Sequence, residues 1–230
     1  MNLKTNELSE KFKELITKPF KSNEDLELQE KIRIALEESL REDAAELVKE
    51  LNSIGIKVNS VWDLVNTSER YADAIPILIN HLKKDYHEKN IEGIIRALAV
   101  KEAVGKVTPY LITMYHQLTK DNDLLRWVIG NTIYMTITQD DVKSILPIVQ
   151  DKTNGTSRQM FVAALGKIKS EEVEDVLINL LNDDEVVAQA LGALGRIKSK
   201  KAKDKIAILT DHPRPLVRKE AQKALKKLMK

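Results

Sequence analysis

Four histidines, two adjacent carboxylate pairs and one lysine-rich stretch are the residues of this chain whose types could carry chemistry. The histidines are His81, His87, His116 and His212. None stands three or four positions from another, so no helix presents two imidazoles to one metal ion. His81 and His116 recur at similar places in neighbouring helical segments and form the one pair worth weighing as shared ligands; exposed helix histidines are common and explain them better. Asp140-Asp141 and Asp183-Asp184 each precede an apolar helical stripe. Acids there satisfy free amides and the positive helix end, whereas general acid–base work would require burial to move their pKa values. Cysteine is absent, which excludes disulfides, thiolate metal sites and a cysteine nucleophile. No glycine-rich phosphate loop or nucleophile elbow occurs, and Thr153-Asn154-Gly155-Thr156 reads as a turn. No catalytic residue, metal ion or cofactor is expected.

What remains is surface chemistry. Residues 198–230 hold twelve Lys or Arg against Asp204, Asp211 and Glu220, a local charge of +9 in a chain whose formal net charge is +2. Such asymmetry suits an electrostatic partner, and also the solvated end of a helical array. Lys200 and Lys201 fall in a turn, while Lys219, Lys223, Lys226 and Lys227 share a helix face opposite Val217, Ala221, Leu225 and Leu228. Tyr110, Tyr115, Trp127 and Tyr134 are four of the ten aromatics, within 25 residues. Tyr110 and Met114 fall on an apolar stripe and read as core. Tyr115 and Trp127 fall off their stripes and read as contact residues. The candidate partner-binding set is Tyr115, Trp127, Lys200, Lys201, Lys219, Lys223, Lys226 and Lys227.

The elements that must position these residues are helices. With 8 Gly, 6 Pro and 4% aromatics in 230 residues, the chain lacks the turn residues and aromatic runs of a sheet protein. Two columns of apolar residues recur along it. First helices align on Leu98, Ile133, Leu165, Leu194 and Leu225, spaced 35, 32, 29 and 31. Second helices align on Leu78, Leu111, Leu146, Leu177 and Ile206, spaced 33, 35, 31 and 29. The spacings lengthen and shorten together, as they must if each repeat is one helix pair. Such a pair cannot bury its apolar surface alone, so neighbours must stack. Gly166 and Gly195 each follow a column leucine, where a missing side chain lets helices approach closely. Pro76 and Pro109 suit first turns; Pro147 falls inside an otherwise good helix.

Upstream, residues 5–17, 24–40 and 42–53 read as helices with Asn23 as an N-cap, and Val61-Trp62-Asp63-Leu64 as a short helix in a connector. The domain expectation is therefore an N-terminal helical cap and connector over 1–69, then about five repeats over 70–230 around one continuous core.

The segments ALGKIKSEEVEDVLINLLND and ALGRIKS resemble HEAT-like repeats of the phycobilisome-lyase type, and YADAIPILINHL with IEGIIRALAVKEA resembles a bacterial HEAT-repeat group of unassigned function. The resemblance implies an all-α, right-handed α-solenoid of stacked HEAT-like helix pairs. Such repeats often stitch neighbours with a turn Asp and an Arg early in the next first helix. Asp211 and Arg218 match, but Val187 stands where Arg belongs, so a regular ladder is not expected. The resemblance is specific for fold and nearly silent on function; the leading expectation is a non-enzymatic scaffold gripping a protein on a concave face lined by second helices. The alternative is nucleic-acid binding, weak and salt-sensitive, through the basic C-terminal region. A DNA-glycosylase-like activity is its weakest form, since only Trp62 and Trp127 are present and no motif matches. The polar start MNLKTNELSEKFKEL and the short apolar run from Ala74 to Ile79 predict a cytoplasmic protein without a membrane span.

Overall fold

A computed structural model describes residues 3–229. Helix makes up 73% of the chain, about twice the globular average, and no strand occurs among the described residues. The chain divides into two compact units, Met1–Leu98 and Ala99–Lys230.

In the first unit the helices run α1 (Leu3–Thr17), α2 (Asn23–Asp43), α3 (Ala45–Ser53), α4 (Val61–Val65), α5 (Ala74–His81) and α6 (Glu88–Ala97). α1 packs on α2, and the turn between them is fixed by Ser22. Its hydroxyl accepts the Asp25 amide at 3.1 Å while the Asp25 carboxylate accepts the Ser22 amide at 3.2 Å, a capping box. The cap thus falls one residue before Asn23, which already belongs to the helix. α3 packs on α5 and α4 on α6. The last contact depends on Gly93, where an added Cβ would lie 2.5 Å from Val61 Cγ1. Asp43, ending α2, accepts from the His87 amide at 2.9 Å and the Asn90 side chain at 2.7 Å, which pins the start of α6.

His81 is fully buried. Its Nδ1 meets the Tyr86 hydroxyl at 2.5 Å and its Nε2 meets the Glu50 carboxylate at 2.8 Å. Burial, reinforced by Glu46, Asp43 and Glu50, pushes the Tyr86 phenol up to about 12. Both imidazole nitrogens are therefore engaged, Nε2 in joining α5 to α3 and Nδ1 in holding the loop that follows α5. No group of three or more His, Asp or Glu stands close enough to hold a metal ion among the described residues.

The second unit contains α7 (Thr108–Gln117), α8 (Asp123–Thr136), α9 (Val142–Gln150), α10 (Gln159–Leu165), α11 (Glu171–Asn179), α12 (Val187–Ile197), α13 (Lys203–Ile208) and α14 (Pro215–Leu228). First helices stack in the row α8–α10–α12–α14, and α7, α9 and α11 form a second row beside it. Each second helix packs most closely against the first helix that follows it. The column residues are buried throughout except Leu225, half-buried in the last helix of the row. The two glycines act as the repeat pattern requires. A Cβ on Gly166 would lie 2.7 Å from the Ala193 Cα, and one on Gly195 would lie 2.9 Å from the Ala224 Cα. Lys226 holds the corresponding place on α14. α9 continues through Pro147 to Gln150, and Asp141 accepts from the Thr138 amide ahead of it at 2.7 Å. No helix among the described residues is long and apolar enough to cross a membrane.

Candidate partner-binding face

Seven residues before each first-helix column residue of the second unit stand Arg126, Arg158, Val187 and Arg218. Arg126 and Arg158 are the stitches between repeats, and they reach forward. Arg126 Nη2 donates to Asn154 Oδ1 at 2.6 Å, in the turn before α10. Arg158 is wholly buried; it donates to Asp183 at 2.9 Å and Glu185 at 2.6 Å, in the turn before α12. Burial opposes ionisation of Asp183, yet the Arg158 guanidinium and the Glu185 amide outweigh it and hold the carboxyl below its ordinary range. At the third rung Val187 is buried and carries no charge; Arg214 reaches the Asp184 carbonyl instead. Arg218 closes on its own turn, donating to the His212 and Pro213 carbonyls at 2.8 Å. The ladder is therefore interrupted where Val187 replaces arginine.

This ladder removes one expected contact residue from the surface. Tyr115 is 1% exposed. Its hydroxyl accepts from Arg126 Nη2 at 2.7 Å and meets Ser157 Oγ at 2.9 Å, and its ring lies edge-on to Phe161. Tyr115 is a core residue and not a partner contact: the guanidinium that stitches α8 to the next turn needs a phenol beside it. Tyr110, expected in the core, is exposed instead, because the buried stripe of α7 runs through Thr108, Leu111, Ile112 and Tyr115 and Tyr110 falls off it.

Counting from the same arginine position defines the exposed face of the first-helix row. One residue on stand Trp127, Gln159, Ala188 and Lys219; five on stand Asn131, Ala163, Gly192 and Lys223; nine on stand Met135, Lys167, Arg196 and Lys227. Positions four apart share a helix stripe, and every one of these twelve is exposed or half-buried. None is acidic, although the chain holds 35 Asp and Glu. The composition grades across the row. α8 offers Trp127 and Met135, both over 40% exposed; α10 offers Gln159 and Ala163, with Lys167 in the turn after it; α12 offers Ala188, Gly192 and Arg196; α14 offers three lysines.

Tyr134 organises the middle. Lys167 Nζ lies 4.3 Å from the centre of its ring and Arg196 Cζ 5.4 Å from it. Arg196 Nη2 donates to the Tyr134 hydroxyl at 2.7 Å, and Lys167 donates to the Tyr134 carbonyl. Partial desolvation, with a further push from the Arg196 charge, pulls the Lys167 ammonium below the ordinary lysine range. No carboxylate pairs with either cation among the described residues.

Of the expected set, Trp127, Lys219, Lys223 and Lys227 come together on this face. Lys226 lies beside it, Lys200 is an exposed turn residue, and Lys201 pairs with Asp175 on α11. Sequence reading placed Tyr134 in the aromatic cluster without giving it a role, and missed Lys167 and Arg196. Their signal was present: Lys167 and Arg196 each stand two residues after a column leucine.

Residues 142–226 match the family model of HEAT repeats. This part of the chain is built of HEAT repeats. The match takes in α9 to α14 except its last turn, the segment in which Gly166 and Gly195 set the helix approach. Among solved structures, the designed armadillo repeat protein YIII(Dq)4CqI is similar at 15% identity and a TM-score of 0.48, over 96% of this chain and 99% of that one. No curated protein matches the chain.

Proposed function

We propose that the second unit is a binding scaffold which holds a protein on the exposed face of its first helices. The observation that carries this is the acid-free character of that face: twelve register positions on α8, α10, α12 and α14 include aromatic, thioether, small and cationic side chains and no carboxylate. Trp, Tyr, Met and Arg are the types enriched at protein interfaces. Lys167 and Arg196 at its centre have no acid to pair with them among the described residues, while Lys223 pairs with Glu220 at 2.7 Å beside it, and this supports binding rather than acid–base catalysis. The sequence alone had suggested the second helices; the Tyr134 cluster and Trp127 favour the first.

The test is affinity capture from a native lysate after nuclease treatment, comparing the natural chain with Trp127→Lys/Met135→Lys. Loss of a captured protein in the variant, with an unchanged melting temperature, supports the proposal. Capture unaffected by the substitutions contradicts it. A second reading, nucleic-acid binding, draws on the three lysines that α14 adds to the face. Material lost on nuclease treatment, but not on substitution at Trp127, would favour that reading.

A further inference from the structure

We infer that the occupant of this face is an extended acidic segment bearing a carboxylate at every third residue and an apolar side chain at one end. This rests on the protein-binding proposal and gives it a partner chemistry. Met135, Arg196 and Lys227 occupy one register on α8, α12 and α14, and Lys167, in the turn that ends α10, fills the same register there. Helices in contact lie about 8–10 Å apart, and the close approach at Gly166 and Gly195 favours the short end of that range. A polyproline-type strand advances about 9.3 Å in three residues and returns its side chain to the same side. Laid across the row, such a strand meets one position per helix with every third side chain. Three of those positions are cations and the fourth is Met135, next to Tyr134.

The rest of the face agrees with a strand lying across it. Beside the cation register run Ala163 and Gly192, and Gly192 has nothing within 4 Å of where a Cβ would stand. A backbone can therefore lie low between the cations and the stripe of Trp127, Gln159 and Ala188. Lys167 and Arg196 are already held by Tyr134, so less side-chain freedom is lost when a carboxylate arrives. Lys227 leans back over α12, its Cδ 3.4 Å from the Cβ position of Gly195, and so continues the line. Duplex nucleic acid carries a charge about every 1.7 Å of axis, far denser than one cation per helix. The spacing fits separated carboxylates.

The test is fluorescence anisotropy with a labelled synthetic peptide, Leu-Pro-Pro-Glu-Pro-Pro-Glu-Pro-Pro-Glu, and the whole chain. The peptide is expected to bind, with affinity falling about tenfold or more when its glutamates become glutamine or when the chain carries Lys167→Ala/Arg196→Ala. Moving the glutamates to every second residue at equal charge is expected to weaken binding. Lys200→Ala/Lys201→Ala, off the face, is expected to change nothing. Absent binding, equal binding of the glutamine peptide, equal loss in the off-face variant, or tighter binding of an oligothymidine of equal charge would each overturn the inference. If the peptide fails while Trp127→Lys/Met135→Lys still abolishes protein capture, the face stands as a protein interface and only the acidic-strand occupant is lost.

Discussion

Arg158 donates to Asp183 at 2.9 Å across the junction between two repeats, with the arginine side chain wholly buried. The same guanidinium also satisfies the carbonyls of Gly155 and Val149. Truncation would leave Asp183 buried and uncompensated, so Arg158→Ala is expected to destabilise the chain by about 3–5 kcal/mol. Urea denaturation measures it. A change below about 1 kcal/mol, the scale of a surface pair, would contradict the ladder.

The same pair sets a pH dependence. Asp183 sits below its ordinary range despite burial, through Arg158 and the Glu185 amide. Glu92 sits low despite burial too, through Lys89 and Arg96. A carboxylate depressed in the folded state contributes stability that is complete above its unfolded pKa of about 4 and lost as pH falls through the folded value. Urea midpoints are expected to hold steady above about pH 5 and fall steeply below about pH 4. Arg158→Ala should flatten part of that slope. Constant midpoints down to about pH 2.5 would contradict the assignment.

Two glycines in the same row should respond in opposite ways. Gly166→Val places a side chain where the Ala193 Cα lies 2.7 Å from the Cβ position, and such overpacking costs about 1–3 kcal/mol or more. Gly192 faces open space, so Gly192→Ala is expected to stabilise α12 by about 0.5–1 kcal/mol. Thermal melts of the two variants decide it; a shift in the same direction for both would contradict the packing.

Leu177 is fully buried on α11 and Lys200 is exposed in the turn after α12. Leu177→Ala should cost about 2–5 kcal/mol, and Lys200→Ala should stay within about 0.5 kcal/mol. Denaturation midpoints in the reverse order would mean a wrong repeat register.

The repeat register was legible because burial leaves a period: every column leucine from Leu78 to Leu194 is where the spacing puts it. Gly166 and Gly195 were legible for the same reason, since a close approach demands the same residue in each copy. Tyr115 was not. The sequence reading ran the α7 stripe through Tyr110 and Met114, whereas the buried stripe is Thr108, Leu111, Ile112 and Tyr115, and only the position of Arg126 shows what the buried hydroxyl serves. Lys167 and Arg196 were hidden by their ordinariness, because a lone cation near a helix end is what the helix dipole favours anyway. Their meaning comes from Tyr134, which lies 62 residues from Arg196 in the chain.

Site-directed photo-crosslinking tests the central claim most directly, because it asks which helix row touches the partner. A benzophenone side chain would be placed at Gln159 or Ala188 on the first helices, and at Lys143 or Glu172 on the second. All four positions are at least partly exposed. In a nuclease-treated native lysate, covalent adducts to one protein are expected from Gln159 and Ala188 and not from Lys143 or Glu172. Adducts confined to Lys143 and Glu172 would put the interface on the second helices and contradict the first-helix face.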